Sequence, residues 1–507
     1  MVDPITVEVL FPALLALSTA LASGLVLRPA LIIRITTFIL FSLLLFSTLF
    51  YAAADNYTGR GIDESVYFHI LFGIEGLGAE VIYPIIYSAA AFAIVLILSY
   101  MLLVGNLYNK PLKFLSKSAH NIAAIAIGAN ITIAFATHPT VQQSKDLYET
   151  LFPSEVSDVS SFLYPADQTL QHSGKNLIYI YLESVESTFL REDQFPGLMK
   201  NLQRIEKESL NIKGIRQAPM TEWTIAGMTA SQCGIPLASV FPKVNGQKRR
   251  DLAALPATYC TGDWLRDSGA YLVYMGGADL AFASKGKFYS EHGFSEVMGG
   301  DDIEAYLGRA LPRSKWGVYD DDLFEAIYKK LNEIHKDKQP YALVALTLDT
   351  HSPEGHDTPE CIKLGISHPS DSIIEQRLAC ADYLIGKFFD WFKESEISKN
   401  TILIIASDHF IMRNDTKVTT IENRENLFLV YGPGIKPAMI RRNACTMDIA
   451  PTVMSLLSDK EVPGLGLGRN LLGAQPTLIE QMGFDEFSRQ LQGWRPQLWN
   501  LWTSQSP

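Results

Sequence analysis

The chain has 507 residues, 48% of them hydrophobic, and a formal net charge of −11 from 43 basic and 54 acidic side chains. That length predicts more than one domain. The acidic balance leaves no basic stripe to release counterions, which excludes a nucleic-acid partner.

The apolar residues concentrate at the start. Four runs approach the roughly 20 residues that a bilayer-crossing helix needs: Val7–Leu27, Leu31–Ala54, Val81–Val104 and Ile122–Thr137. Pro84 in the third is tolerable inside a bundle, and the fourth carries Asn130 and Thr132. No basic segment precedes the first run, so a cleaved signal peptide is not expected. Arg28 and Arg34 lie between the first two runs, and Lys110, Lys113 and Lys117 between the last two, whereas the middle connection is acidic. Basic loops stay on the cytoplasmic side. The expectation is a membrane protein with four spans over residues 1–138 and its N-terminus on the non-cytoplasmic side. Residues 139–174, with Pro139, Pro153 and Pro165, read as a linker, and residues 175–507 as an extracytoplasmic catalytic domain.

Beyond Lys175, short apolar runs alternate with helix-length segments. Strands are predicted at Asn176–Leu182, Ala270–Met275, Tyr341–Leu348, Thr401–Ala406 and Leu427–Tyr431, and helices at Thr224–Gln232, Asp320–Lys336, Ser372–Ser395 and Asp448–Leu457. Continuous hydrophobic strands of this kind belong to a largely parallel sheet covered on both faces. None of the five cysteines sits in a CxxC pair; Cys361–Cys380 is the easiest disulfide because its loop is short, and Cys445 is expected to be the unpaired thiol. The tail GWRPQLWNLW, with Trp494, Trp499 and Trp502, suits either a closing helix or an interfacial anchor. The glycines of PGLGLGRNLL do not follow a strand into a helix and read as a turn.

Open α/β sheets place their sites at the carboxyl ends of strands. Here those ends carry Glu183, Asp349 with His351, and Asp408 with His409. Two carboxylates and an imidazole, Glu183, Asp408 and His409, suit Mn²⁺ or Zn²⁺. A nucleophile is sought in PMTEWTIAGMTASQCG, where Thr221, Thr224 and Thr229 are candidates; Thr224 opens a helical run whose N-terminus would hold a phosphate.

The stretches YLESVEST, APMTEWTIAGMTASQCGIPL, YMGGADLAFASKGKFYSEHGF, LTLDTHSP, IIASDHF and CTMDIAPTVMSLL carry a resemblance. From about Lys175 to Leu472 the chain resembles the sulfatase-like branch of the alkaline phosphatase superfamily, and within it the lipoteichoic acid synthase and phosphoglycerol transferase group. The resemblance implies an α/β sulfatase-like domain after the four-helix membrane region. It implies one divalent metal ion, Mn²⁺ first with Zn²⁺ or Mg²⁺ as alternatives, held by Glu183, Asp408, His409 and the nucleophile Thr224. It makes His351 a contact of the transferred phosphoryl group, and Lys285 with Asp279 contacts of the head group. Lys285 stands where the synthases have arginine, beside Phe282. The chain is short against the phosphoglycerol transferases, which leaves the acceptor site open. Sulfatase chemistry itself is not expected, because Cys233-Gly-Ile-Pro-Leu lacks the Cys-x-Pro-x-Arg pattern of a modified nucleophile.

The implied reaction moves phosphoglycerol from the membrane lipid phosphatidylglycerol to a periplasmic glucan, through a covalent threonine intermediate, with release of diacylglycerol. Two alternatives stand beside it: phosphoethanolamine transfer to a lipid or glycan, and a non-catalytic membrane protein that binds glycan or lipid.

Overall fold

The computed structural model describes residues 31–72, 79–104, 116–153, 156–238, 258–352, 354–412 and 414–503, with five positions between 13 and 19. It divides into two compact units, residues 1–67 with 79–150, and residues 68–78 with 151–507.

The first unit holds helices Leu31–Thr58, Ala79–Leu103, Lys117–Ala136 and Pro139–Leu151. One side of the Leu31–Thr58 helix buries Phe41, Leu44 and Leu45 in a cluster with Ile131. Its other side leaves Leu31, Ile32, Ile39 and Phe46 exposed, an apolar surface that water disfavours. Among the described residues, Leu31–Asp55 alone is a single helix long and apolar enough to cross a membrane. Asn121–Ala136 with Pro139–Leu151 meets the same test as a pair bent by 41°. That is fewer than the four spans expected. The first expected span lies almost wholly outside the described residues, as do Arg28, Lys110 and Lys113.

The second unit is built on an eight-stranded sheet. Its strands are β1 (Asn176–Leu182), β2 (Leu210–Arg216), β3 (Tyr271–Gly276), β4 (Glu296–Met298), β5 (Tyr341–Leu346), β6 (Thr401–Ser407), β7 (Phe428–Tyr431) and β8 (Ala438–Cys445). They lie in the order β4-β3-β5-β1-β6-β7-β2-β8. All pairings are parallel except those of β7, which runs against both β6 and β2. Every residue of β1, β5 and β6 is buried, because alternate side chains enter cores on opposite faces. Tyr179, Tyr181, Val344 and Ile404 join one core, with Ile225, Trp264, Met454 and Trp494 from helices. Ile178, Ile180, Leu343 and Ile405 join the other, with Leu202, Ile327 and Phe388.

Part of the stretch read as linker is helical, at Pro139–Leu151. Its later part is tied to the second unit: Tyr164 and Gly466 exchange backbone hydrogen bonds of 2.8 and 2.9 Å, and Ser173 N–H donates to Leu457 O. The tail forms the helix Phe484–Thr503. Trp494 and Trp502 are fully buried and Trp502 Nε1 donates to Pro236 O at 2.8 Å, so this is a closing helix. Cys361–Cys380 is bonded, Cys233–Cys260 forms a second bridge, and Cys445 is a buried free thiol.

Candidate active site at three neighbouring strand ends

In the sheet, β5, β1 and β6 are adjacent and parallel. Their carboxyl ends therefore bring His351, Glu183 and the Asp408–His409 pair to one edge from positions far apart in the chain. The ligand atoms of Glu183, Asp408 and His409 all lie within 4.8 Å of one another, and all three side chains are buried. His409 Nε2 is 3.3 Å from Glu183 Oε1 and 3.4 Å from Asp408 Oδ2.

Local backbone aims these groups. Ser184 takes a left-handed conformation, φ 60°, which costs a non-glycine residue energy and marks functional positions. Its N–H donates to Asp408 Oδ1 at 2.8 Å, and its hydroxyl donates to Glu183 Oε1 at 2.9 Å. The β6 end adds the His409 N–H, also 2.8 Å from Asp408 Oδ1. His409 Nδ1 bonds Phe410 O at 2.7 Å; a carbonyl there requires Nδ1–H and directs Nε2 at the centre as a ligand atom.

The fourth member arrives on the helix Thr224–Cys233. Thr224 is its first residue, with Oγ1 3.3 Å from Glu183 Oε2 and 3.4 Å from His409 Nε2. Gly227 permits this approach, since a Cβ there would lie 1.9 Å from Asp408 O. The two rival threonines point elsewhere: Thr221 and Thr229 are buried and donate to Ala218 O and Ala226 O.

The electrostatics favour a cation. Burial pushes Asp408 up to about 7, aided by the charge of Glu183. Burial raises Glu183 too, but the hydrogen bond and charge of His409 hold it well below the usual carboxylate range. His409 is driven up to about 9, the charges of Asp408 and Glu183 overcoming burial. Asp408 Oδ2 is buried with no hydrogen-bond partner, His409 Nε2 standing 3.4 Å away, a state for a carboxylate oxygen that a bound cation relieves. Three oxygens, the unsatisfied Asp408 Oδ2 among them, and one nitrogen fit a divalent metal.

His351 is half-buried at the same edge. Burial lowers its pKa while Glu183 opposes the shift, and His409 and Lys285 act on it as well. Its Nδ1 bonds Ser352 O at 2.8 Å, and its ring lies 4.2 Å from that of Trp316. Lys285 is buried, with its ammonium 4.7 Å above the Phe282 ring. Burial lowers it to about 8 against the charges of Glu183, Asp408 and Asp279. Asp279 itself is exposed and accepts the Ala281 N–H. Sequence reasoning missed Ser184, Gly227 and Trp316, because none carries a periodic or spacing signal. A buried carboxyl pair supports the His351 segment from behind: Asp320 accepts the N–H groups of Leu348 and Asp349, and Asp349 accepts that of Asp320.

Comparison with known proteins bears on the family and the fold. The Sulfatase family matches residues 175–459, more than half of the chain. The chain belongs to the sulfatase family. A second family, described as the N-terminal domain of phosphoglycerol transferase I, matches residues 6–157. Phosphoglycerol transferase I of Xanthomonas campestris pv. campestris is 33% identical over 85% of this chain and 61% of its own length. That of Escherichia fergusonii is 30% identical over 89% and 58%. The chain thus spans about three fifths of the length of these relatives. A crystal structure of an alkaline phosphatase superfamily protein from Vibrio parahaemolyticus aligns with a TM-score of 0.50 at 21% identity, covering 67% of this chain and 80% of that one; it shares the fold. In this sulfatase-family domain, Cys233 is held in a disulfide at the far end of the helix that Thr224 begins. The hydroxyl, not a thiol, faces the carboxylates.

Proposed function

We propose that this chain transfers phosphoglycerol from phosphatidylglycerol to a hydroxyl of a periplasmic glucan, with Thr224 as nucleophile. The observation that carries the reading is the Thr224 hydroxyl at a helix start, within 3.4 Å of both Glu183 and His409. Relatives named phosphoglycerol transferase I support the transferred group.

Glu183, Asp408, His409 and Thr224 would hold the metal, and the hard oxygen donors suit Mn²⁺ first, then Zn²⁺ or Mg²⁺. A divalent ion there supplies positive charge that lowers the pKa of the threonine hydroxyl and offsets charge on phosphoryl oxygens. Thr224 Oγ attacks the phosphorus of the lipid head group. The bond from phosphorus to the diacylglycerol oxygen breaks, and diacylglycerol leaves with a proton. Phosphoglycerol stays esterified to Thr224. An acceptor hydroxyl then attacks the same phosphorus, the bond to Thr224 breaks, and the acceptor's proton returns to the threonine oxygen. His351, whose Nδ1 is committed to Ser352 O, offers Nε2 to the leaving and entering oxygens. Lys285 stabilises the anionic phosphoryl group and, with Asp279, orients the glycerol.

The membrane region serves the donor. Extracting a lipid costs about 0.8 kcal/mol per exposed CH₂, so the site belongs beside the bilayer. The reading includes four spans over residues 1–138, a linker to 174, and a periplasmic domain from 175. Two disulfides suit that oxidising side.

The test is mass spectrometry of purified protein incubated with phosphatidylglycerol and Mn²⁺. A phosphoglycerol adduct on Thr224 with release of diacylglycerol is expected. Absence of both under Mn²⁺, Zn²⁺ and Mg²⁺ would remove the transferase reading, and an ethanolamine phosphate adduct from phosphatidylethanolamine alone would change the donor.

A further inference from the structure

A second pair of charged side chains, behind the ligand cluster, ties together the two turns that carry Glu183 and His409. Glu186 follows Glu183 by three residues on the turn that ends β1, where the Val185 N–H donates to Leu182 O at 3.2 Å. Its carboxylate is fully buried. Arg424 lies just before β7 and grips that carboxylate: Nε donates to Oε2 at 2.9 Å and to Oε1 at 3.1 Å, and Nη2 donates to Oε1. The Thr188 hydroxyl donates to Glu186 Oε2 at 2.8 Å. The backbone repeats the tie, with the Ser187 N–H 2.9 Å from Glu425 O.

The same guanidinium also holds the segment that follows β6. Nη2 donates to Ile411 O at 2.8 Å, and Cζ stands 4.7 Å from the centre of the Phe410 ring. The Phe410 N–H donates to Gln217 Oε1 at 2.6 Å. Between these fixed points lies the Phe410 carbonyl, the oxygen that meets His409 Nδ1 at 2.7 Å. A path of direct contacts therefore runs from the Glu183 turn through Glu186, Arg424 and Phe410 to the imidazole that aims Nε2 at the centre. The catalytic steps use neither Glu186 nor Arg424.

A buried ion pair is a weak stabilising device, because apolar side chains of similar volume often fold as well or better. It is a strong device for setting geometry, since the planar guanidinium fork fixes distance and direction together. Groups behind a ligating histidine orient its ring and tune the affinity for the metal. We propose that the Glu186–Arg424 pair is a positioning clamp that holds the Phe410 carbonyl, and through it the His409 imidazole, in register with Glu183 before a cation binds. This rests on the divalent-metal reading of the site and makes neither residue a ligand.

The clamp is tested by metal affinity, independently of turnover. The full chain is purified in detergent, stripped with a chelator and titrated with Mn²⁺ by calorimetry. The double variant Glu186→Met with Arg424→Met removes both charges and keeps the core filled. It is expected to weaken Mn²⁺ binding by about 10- to 100-fold, while the thermal midpoint of the metal-free protein stays level or rises. Arg424→Lys keeps a charge beside Glu186 but loses the fork, and is expected to weaken binding by about ten-fold. It decides the matter if the double variant shows no cooperative unfolding. Wild-type affinity in a folded variant, or an affinity lost only in step with a lower metal-free midpoint, would overturn the clamp and leave the metal centre standing. A wild type that binds none of Mn²⁺, Zn²⁺ and Mg²⁺ would overturn the metal reading, and the clamp with it.

Discussion

Among the described residues, two buried clusters each bring a carboxylate and an imidazole together with a further potential metal ligand: Glu183–Asp408–His409 and Cys260–Asp263–His292. By distance alone they are equivalent. Their hydrogen bonds separate them. In the second cluster Asp263 Oδ2 accepts the Cys260 N–H at 2.9 Å and meets His292 Nδ1 at 2.7 Å, while Cys260 Sγ is bonded to Cys233. Its donors are spent on capping the helix Thr261–Asp267 and stapling it to the helix that Thr224 begins. In the first cluster Asp408 Oδ2 has no hydrogen-bond partner, and a threonine hydroxyl points in from a helix start. One cluster is closed on itself; the other is charged and unfinished. An unsatisfied buried oxygen within a ligand cluster, rather than proximity alone, marks the candidate metal centre.

The largest effect that would break this contrast is on chemistry. Thr224→Ala is expected to remove the covalent adduct and lower diacylglycerol release about 1,000-fold or more, by mass spectrometry and lipid assay; undiminished activity would revive a non-catalytic role. Metal content comes next. His409→Ala and Asp408→Asn are expected to lose the bound ion in elemental analysis of purified protein, whereas His292→Ala retains it. Stability should show the reverse order. Asp263→Asn loses an anionic cap and the partner of His292, at about 1–2 kcal/mol, read as a lower midpoint in denaturant at unchanged metal content.

The smallest effect is one of pH. Burial raises Asp320 to about 7, with Asp321 and Glu183 adding to it, and raises Asp349 well above its ordinary value, with Asp320 adding to it. A carboxyl with a raised folded pKa binds more protons folded than unfolded. Its contribution is complete below the ordinary carboxylate value of 3.8 and is lost as pH rises toward the folded pKa. Thermal midpoints should therefore fall less steeply between pH 4 and about 7 in Asp349→Asn than in the wild type. Parallel curves would show that the pair does not titrate.

The five strands expected from sequence are close to the observed ones because each is a continuous apolar run, and a strand buried on both faces can be little else. Glu183, Asp408 and His409 were legible because a polar residue ending such a run has no packing reason to be there. The strands that escaped notice are those where this logic fails. β8, AMIRRNAC, lies at the sheet edge with Met439 and Arg441 exposed, and β2 is interrupted by Lys213 and Gly214. Cys233–Cys260 was not foreseen because its partners are fixed by helix packing rather than by a short loop. Trp316 meets the ring of His351 from a loop remote from it in the chain, a contact that no local pattern encodes. The choice of Thr224 over Thr221 and Thr229 needed the family resemblance; hydrogen bonding then assigns the other two to local backbone carbonyls.

The central claim is that Glu183, Thr224, Asp408 and His409 share one divalent cation. Anomalous diffraction at the manganese edge, from crystals of the protein grown with Mn²⁺, tests it most directly. One peak bounded by those four side chains, and none beside Asp263 and His292, is expected. A peak at the second cluster, or none at the first, would contradict it.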